Sequence, residues 1–352
     1  MARLRILVVE DSTTVRRRIL EILAGDPDID IVGEAADGKA AIALAMSLRP
    51  DIISLDMMLP VMTGLAATEY IMAHAPTPIL IVSSSTNRGE LHRTYDALAA
   101  GAVDVLEKPT GLEREGAWER RYLAAIKMAA RIRVITHPRA RLNGAHADMM
   151  VPAMIEPGKI ALIAFGASTG GPAAILALLQ ALPAPFPLPL LLTLHIGEPF
   201  GGAFAEWLDG QSGHRVALAV DGDPVARPGA GLRLAPPNRH LIVEGGLLRV
   251  SDEPERNSCR PSVDLMFESL AASHGASVAA CLLTGMGRDG AAGLLAIRRA
   301  GGVTIAQDEA SAIVFGMPRE AIRLGAAQRV LPLAAIGRAV SELAVTELAA
   351  RT

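Results

Sequence analysis

Along the first third of the chain, short apolar runs alternate with longer segments in which apolar residues recur every three or four positions. The runs are Leu4–Val9, Ile29–Gly33, Asp51–Leu55, Pro78–Ser83 and Val103–Leu106; the helical segments between them are Ser12–Leu23, Lys39–Leu48, Gly64–Ala73 and Gly89–Ala100. Runs that are apolar throughout belong to strands covered on both faces, and five such β/α units predict a doubly wound parallel sheet. A further helical stretch, from Glu113 to about Ala130, closes this unit.

From Arg131 the period dissolves. Residues 131–157 carry Pro138, Pro152 and Pro157 among polar turn formers and read as an interdomain linker, with Arg131, Arg133, Arg139 and Arg141 as a solvated charge run. Alternation resumes at Lys159 with the strand KIALIAF, a helix from Pro172 and the strand PLLLTLH. Strands near Arg215–Val220, Gly231–Ala235 and Leu241–Val250 follow. Then come helix Val263–Ala272, strand Val278–Leu283, helix Ala291–Ala300, strand Val303–Ala306 and a closing helix Leu333–Ala349. The expected fold class is α/β, with two doubly wound parallel-sheet domains at 1–130 and 158–352. The second carries a β-rich insertion around 215–250.

Composition narrows the picture. Of 352 residues, 51% are hydrophobic and 3% aromatic, so two sizeable cores must be packed from aliphatic side chains. A formal net charge of -3 argues against attraction to nucleic acid or anionic membrane. The N-terminal apolar run ends in Glu10-Asp11 and reads as a buried strand rather than a leader, and Pro183, Pro185, Pro187 and Pro189 break up the most apolar stretch. The two cysteines, Cys259 and Cys281, lack metal-type spacing and suit a reducing compartment. A cytoplasmic protein without membrane insertion is expected.

In open parallel sheets ligands bind at the carboxyl ends of the strands. In the first domain those ends carry Glu10 and Asp11, Asp56, Ser83, and Lys108. Three carboxylates in one crevice repel unless a cation joins them, and Mg²⁺ with a phosphoryl oxygen satisfies that arrangement. Lys108 adds a positive charge and Ser83 a hydroxyl, a set suited to phosphorylation of Asp56. The segments VVEDS, SLDMMLPVMTG, VSSS and LEKP resemble the receiver domain of bacterial response regulators, a flavodoxin-like fold. The resemblance implies that Met58 adds a backbone carbonyl to the metal site. Val105 stands where that family usually has an aromatic residue, and Glu10 where aspartate is commoner.

In the second domain Gly166-Ala167-Ser168-Thr169-Gly170 satisfies G-x-S-x-G between a strand and a helix, a context that exposes a serine hydroxyl at a helix N-terminus. His195 closes the next strand and is the best placed of eight histidines to serve as its base. Asp289, in the loop after VAACLLT, supplies an acid to fix the imidazole tautomer. The order Ser, His, Asp departs from that of α/β-hydrolases. The segments IAFGASTGGP, TLHIG, RPSVDLMF, LLTGMGRDGAAGL and IAQDEASAIVFGMPREA are similar to the catalytic domain of the chemotaxis methylesterases, the CheB family, on a Rossmann-like sheet.

The resemblance implies Ser168 as nucleophile, His195 as base and Asp289 as its orienter. It also implies Thr169 within the active site and the Met286 N–H in the oxyanion hole. It further implies hydrolysis of glutamate γ-methyl esters on chemoreceptor helices with release of methanol, and deamidation of receptor glutamines. A chemotaxis histidine kinase is then the phosphodonor, Mg²⁺ is confined to the receiver, and the catalytic domain needs no cofactor. Pairing a switch with an enzyme implies that the unphosphorylated receiver restrains the esterase. Cys259 occupies a position where the family carries histidine. Two other readings compete: Gly285–Gly290 also fits a dinucleotide fingerprint with Asp308 and Glu309 downstream, and the second domain could be a non-catalytic signalling adaptor. Cys259, between Arg256 and Arg260, is a rival nucleophile but has no histidine near it in sequence; Cys281 is core.

Overall fold

A computed structural model describes residues 3–84, 88–109, 116–132, 134, 160–198, 200–226 and 231–351. The chain divides into two compact units, Met1–Gly144 and Ala145–Thr352. Of the segment read as a linker, residues 133 and 135–157 lie outside the described residues. Among the described residues, no helix is long and apolar enough to cross a membrane.

In the first unit the strands are β1 (Leu4–Val9), β2 (Ile29–Ala35), β3 (Ile52–Leu55), β4 (Ile79–Ser83) and β5 (Asp104–Glu107), in the all-parallel order β2-β1-β3-β4-β5. Helices α1 (Thr13–Ala24), α2 (Gly38–Leu48), α3 (Gly64–His74), α4 (Arg88–Ala99) and α5 (Ala117–Ala129) connect and close it. Ser12, Asp37 and Thr63 cap α1, α2 and α3, each side-chain oxygen accepting an N–H from the first turn. The central strands β3 and β4 are buried at every position, which is why they read as unbroken apolar runs. Gly64 lets α3 begin against the loop after β3, because a Cβ there would stand 2.3 Å from the Asp56 carbonyl oxygen. Tyr122 ties α5 to β3 through a 2.9 Å hydrogen bond to Ser54 Oγ.

The second unit holds seven parallel strands in the order β14-β13-β12-β6-β7-β9-β8. These are β6 (Leu162–Ala167), β7 (Leu190–Leu194), β8 (Val216–Leu218), β9 (Leu232–Leu234), β12 (Val278–Leu282), β13 (Val303–Gln307) and β14 (Arg329–Leu331). The segment expected as a β-rich insertion is divided: β8 and β9 extend the main sheet, and only β10 (His240–Glu244) and β11 (Leu247–Ser251) stand outside it as an antiparallel hairpin. Leu241–Val250 is therefore two strands. Gly245 and Gly246, both with positive φ, form the two-residue turn that reverses the chain.

The helices are α6 (Gly171–Ala181), α7 (Phe200–Ser212), α8 (Val263–His274), α9 (Ala291–Arg299), α10 (Met317–Arg323) and α11 (Leu333–Arg351). Helices α7 and α10 and strand β14 were not anticipated. Three glycines interrupt the apolar period of α7, and Gly201 is required where Pro237 Cγ packs 2.3 Å from any added Cβ.

Gly166 sets how closely α8 approaches the sheet. A Cβ there would lie 2.3 Å from Val263 Cγ1 and 3.1 Å from Leu282 Cδ1. Gly166→Ala is expected to destabilise the second unit by about 1–3 kcal/mol, as overpacked cores do. Its thermal midpoint should fall by about 2–4 °C for each kcal/mol. Differential scanning calorimetry of wild type and variant checks this, and an unchanged midpoint contradicts it.

Candidate active site

Parallel strand ends of the first unit gather one charged cluster. Lys108 Nζ, just past β5, lies 2.8 Å from Asp56 Oδ2 after β3 and 3.1 Å from Glu10 Oε1 after β1. The ligand oxygens of Glu10, Asp11 and Asp56 all lie within 4.8 Å of one another. Burial, reinforced by the charge of Asp56, holds the Glu10 carboxyl above its ordinary value despite the hydrogen bond from Lys108. Burial works against the Lys108 ammonium, but hydrogen bonds to Asp56 and Glu10 prevail and raise its pKa. Glu10 Oε2 stands 2.8 Å from Lys108 Nζ. It is out of line for a directed hydrogen bond, so a buried oxygen keeps an unused lone pair. The Met58 N–H donates to Asp56 Oδ1 at 3.3 Å, and Ser83, the last residue of β4, is buried beside Ser84, whose carbonyl accepts its Oγ–H at 3.4 Å.

In the second unit three loops after neighbouring strands meet. Ala167 of β6 is paired in register with Leu194 of β7, so Ser168 and His195 are the next residues out on adjacent strands. The His195 N–H donates to the Ala167 carbonyl at 3.1 Å, and the Ser168 N–H to the Thr284 carbonyl beyond β12 at 3.0 Å. Glycines make the approach possible. A Cβ on Gly285 would lie 2.8 Å from Ser168 Cβ and 2.2 Å from Met317 Sδ, and Gly170 takes φ +76 against Ile313. Ser168 is half-buried, and its Oγ makes no hydrogen bond among the described residues. Thr169 is buried, its carbonyl accepting the Thr284 hydroxyl at 2.9 Å.

The imidazole of His195 is held on both sides. Its Nε2–H donates to Asp289 Oδ2 at 2.8 Å, and its Nδ1 faces Cys259 Sγ at 3.7 Å. Asp289 is 1% exposed, and the N-terminus of α8 surrounds it with donors. These are Ser262 Oγ at 2.7 Å, the Val263 N–H at 2.6 Å and the Asp264 N–H at 3.3 Å. Burial pushes its carboxyl upward, but the hydrogen bonds from His195, Ser262 and Val263 outweigh burial and hold it below its ordinary value. The neighbouring Asp264 is held above the carboxylate range, mainly by burial and with the charge of Asp289 adding to it. Asn257 Nδ2 bridges the pair, 2.8 Å from Asp264 Oδ2 and 3.3 Å from Asp289 Oδ1. Met286 is 56% exposed on the loop between β12 and α9. The Gly285 N–H donates to Val314, and its carbonyl accepts from Gly316 and Met317, which fixes that loop's course.

Residues 163–340, half of the chain, match the family model described as CheB methylesterase. The chain belongs to the CheB methylesterase family. Residues 6–114 match the response regulator receiver domain. A protein-glutamate methylesterase/protein-glutamine glutaminase of Anaeromyxobacter dehalogenans is 41% identical over 340 residues, 97% of this chain and 97% of the relative. One of Pseudomonas aeruginosa is 43% identical over 348 residues, 96% of each. The crystal structure of the Thermotoga maritima CheB methylesterase catalytic domain is 34% identical and covers 53% of this chain and 98% of that one, with a TM-score of 0.49.

Membership in this family, with a receiver ahead of the esterase, does not favour the nucleotide-binding or adaptor readings. Asp308, the acid expected to meet a ribose, has one carboxylate oxygen taken within its own turn by the Ser311 N–H at 2.9 Å and hydroxyl at 2.6 Å. Cys281 is core, its thiol pushed up to about 12 by burial. Cys259 corrects a sequence argument: distance along the chain hid a histidine that the fold brings to its sulfur. Ser262, Asn257 and Asp264 were also missed. Serine before an apolar run marks a helix N-cap, and that signal was readable in RPSVDLMF; the carboxylate parked on the cap was not.

Burial acts to lower the His195 pKa, but hydrogen bonds to Asp289 and Cys259 prevail and raise it to about 9. The sign follows: the stabilisation from this pair is complete below the unfolded value of about 6.5. It is lost as pH rises through the folded one. An NMR titration of His195 should show a midpoint above 6.5 that falls in Asp289→Asn. A midpoint that the substitution leaves in place contradicts the assigned cause.

Proposed function

We propose that the second unit hydrolyses glutamate γ-methyl esters on chemoreceptor helices, releasing methanol, and that phosphorylation of Asp56 controls it. The register of β6 and β7 carries the reading. Ser168 and His195 follow paired residues of adjacent strands on one sheet edge, and a buried carboxylate holds one imidazole nitrogen. Because Asp289 takes the Nε2–H, the Nδ1 lone pair is left as the proton acceptor.

Ser168 Oγ attacks the ester carbonyl while its proton passes to His195 Nδ1. Asp289 stabilises the imidazolium so formed. The oxyanion faces the Met286 N–H, on the loop that Gly285 anchors, with Thr169 lining the site. Collapse of the tetrahedral intermediate gives the proton to the departing methoxide and leaves a glutamyl ester on Ser168. Water, deprotonated by the same nitrogen, then releases the glutamate carboxylate. Glutamine follows the same course with ammonia leaving, which supports deamidation as a second activity. Since the imidazole must be neutral to accept a proton, activity rises with pH through the His195 pKa.

In the receiver, Glu10, Asp11 and Asp56 with the Met58 carbonyl would hold Mg²⁺. The clustered carboxylates and the unused lone pair of Glu10 Oε2 fit a hard cation. The bound ion supplies charge that lets a phosphoryl group approach Asp56. Lys108, 2.8 Å from Asp56 Oδ2, pairs with the transferred group, and the Ser83 hydroxyl donates to one of its oxygens. The phosphodonor is a chemotaxis histidine kinase and the setting cytoplasmic; a net charge of -3 offers nothing to nucleic acid.

Methanol release from membranes bearing methylated receptors tests the proposal. Ser168→Ala should lose at least about 1,000-fold in rate, as triad nucleophiles do. A small phosphodonor should stimulate wild type and not Asp56→Asn. Retained activity in Ser168→Ala refutes the nucleophile, and equal stimulation of Asp56→Asn refutes the phosphorylation site.

A further inference from the structure

The position facing the free nitrogen of His195 is taken by a thiol, and it is built to stay there. Arg256 and Cys259 exchange backbone hydrogen bonds of 3.1 and 2.9 Å around a two-residue tip. Both tip residues, Asn257 and Ser258, have positive φ, 53° and 60°. Neither is glycine, so this turn holds backbone strain that its surroundings must offset. The Asn257 amide does so by donating to Asp264 and Asp289, while its Oδ1 accepts from Arg288 Nε at 3.1 Å. The turn is thereby locked to the same buried carboxylate that orients His195.

We propose that His195 Nδ1 and Cys259 Sγ form a reversible binding site for zinc, which inhibits the esterase. A tetrahedral ion with Zn–N near 2.05 Å and Zn–S near 2.3 Å holds nitrogen and sulfur about 3.6 Å apart. The observed separation is 3.7 Å. In its neutral form the imidazole presents this lone pair because its other nitrogen donates to Asp289, the carboxylate–histidine arrangement that orients zinc ligands. The three ligand-type atoms of His195, Cys259 and Asp289 lie within 4.8 Å of one another. On binding, Cys259 and, below its pKa, His195 Nδ1 release their protons to solvent, and the thiolate and the Asp289 carboxylate together balance the ion's two charges. Both ligands are partly exposed, so the ion has an entry path, and two coordination positions remain for water or a substrate oxygen. Soft sulfur with imidazole selects zinc over Mg²⁺, so this site and the receiver's carboxylates take different ions. Occupancy removes the lone pair that would accept the serine proton. The inhibition, though not the binding, rests on the proposed role of His195.

Full-length protein is titrated with free zinc while methanol release is followed, and with cobalt(II) as a spectroscopic substitute. Wild type is expected to be inhibited at micromolar zinc and restored by a chelator. Cys259→Ser should require at least ~30-fold more zinc, because a neutral hydroxyl is a poor ligand. Cys259→His should remain sensitive. Cobalt should give a thiolate charge-transfer band in wild type and Ser168→Ala, absent from both Cys259 variants. Equal zinc sensitivity of wild type and Cys259→Ser, or no cobalt band in wild type, overturns the site. A band in wild type with activity untouched by zinc overturns the inhibition and, separately, the reading of His195 as base.

Discussion

Asp289 is the point on which the catalytic unit turns, because it is a carboxylate almost out of contact with water. An ion buried this deeply faces a penalty of several kcal/mol. Charge-assisted hydrogen bonds at about 1.5–3 kcal/mol each offset it only when several converge. Here the α8 N-terminus supplies the Ser262 hydroxyl and the Val263 and Asp264 N–H groups, Asn257 adds an amide, and His195 completes the set. The helix dipole adds its positive end. Holding α8 there in turn requires Gly166 and Gly290, either of which would drive a Cβ into Val263. The orientation of one imidazole is thus tied to the packing of a helix against the sheet.

The receiver handles the opposite case. Glu10 and Asp56 stand at neighbouring strand ends with Lys108 between them, and Glu10 keeps a buried oxygen without a directed donor. Charge is fully matched around Asp289 and incompletely matched around Glu10. A fixed imidazole needs the first arrangement; a site that accepts a cation and a phosphoryl group needs the second.

Much of this was legible in the sequence, for identifiable reasons. Strands buried on both faces announce themselves as apolar runs, so β1, β3, β4, β6, β7 and β12 were readable, and with them the residues at their carboxyl ends. That rule is what singles out Asp56, Ser83, Ser168 and His195. Short edge strands such as β14, with partly exposed residues, carry no such signal. Glycine-rich α7 was hidden because three glycines break its apolar period, and of these Gly201 answers to Pro237 rather than to helix propensity. The Gly245-Gly246 turn was in plain view within Leu241–Val250, yet the apolar residues on both sides merged the hairpin into one strand. The least legible feature was the environment of His195. Cys259 lies 64 positions away and Ser262 speaks only as a helix cap, so neither the thiol contact nor the donors on Asp289 had a one-dimensional trace. Contacts made by a loop folding back over a sheet edge belong to tertiary packing.

Ser168 follows the residue paired beside His195 and Cys259 faces its ring at 3.7 Å, and the covalent chemistry is proposed for the serine. Acid-quenching turnover of a methylated receptor fragment and mapping the trapped acyl group by peptide mass spectrometry separates them directly. A glutamyl ester on Ser168 is expected, with Cys259 unmodified. A glutamyl thioester on Cys259 would contradict it.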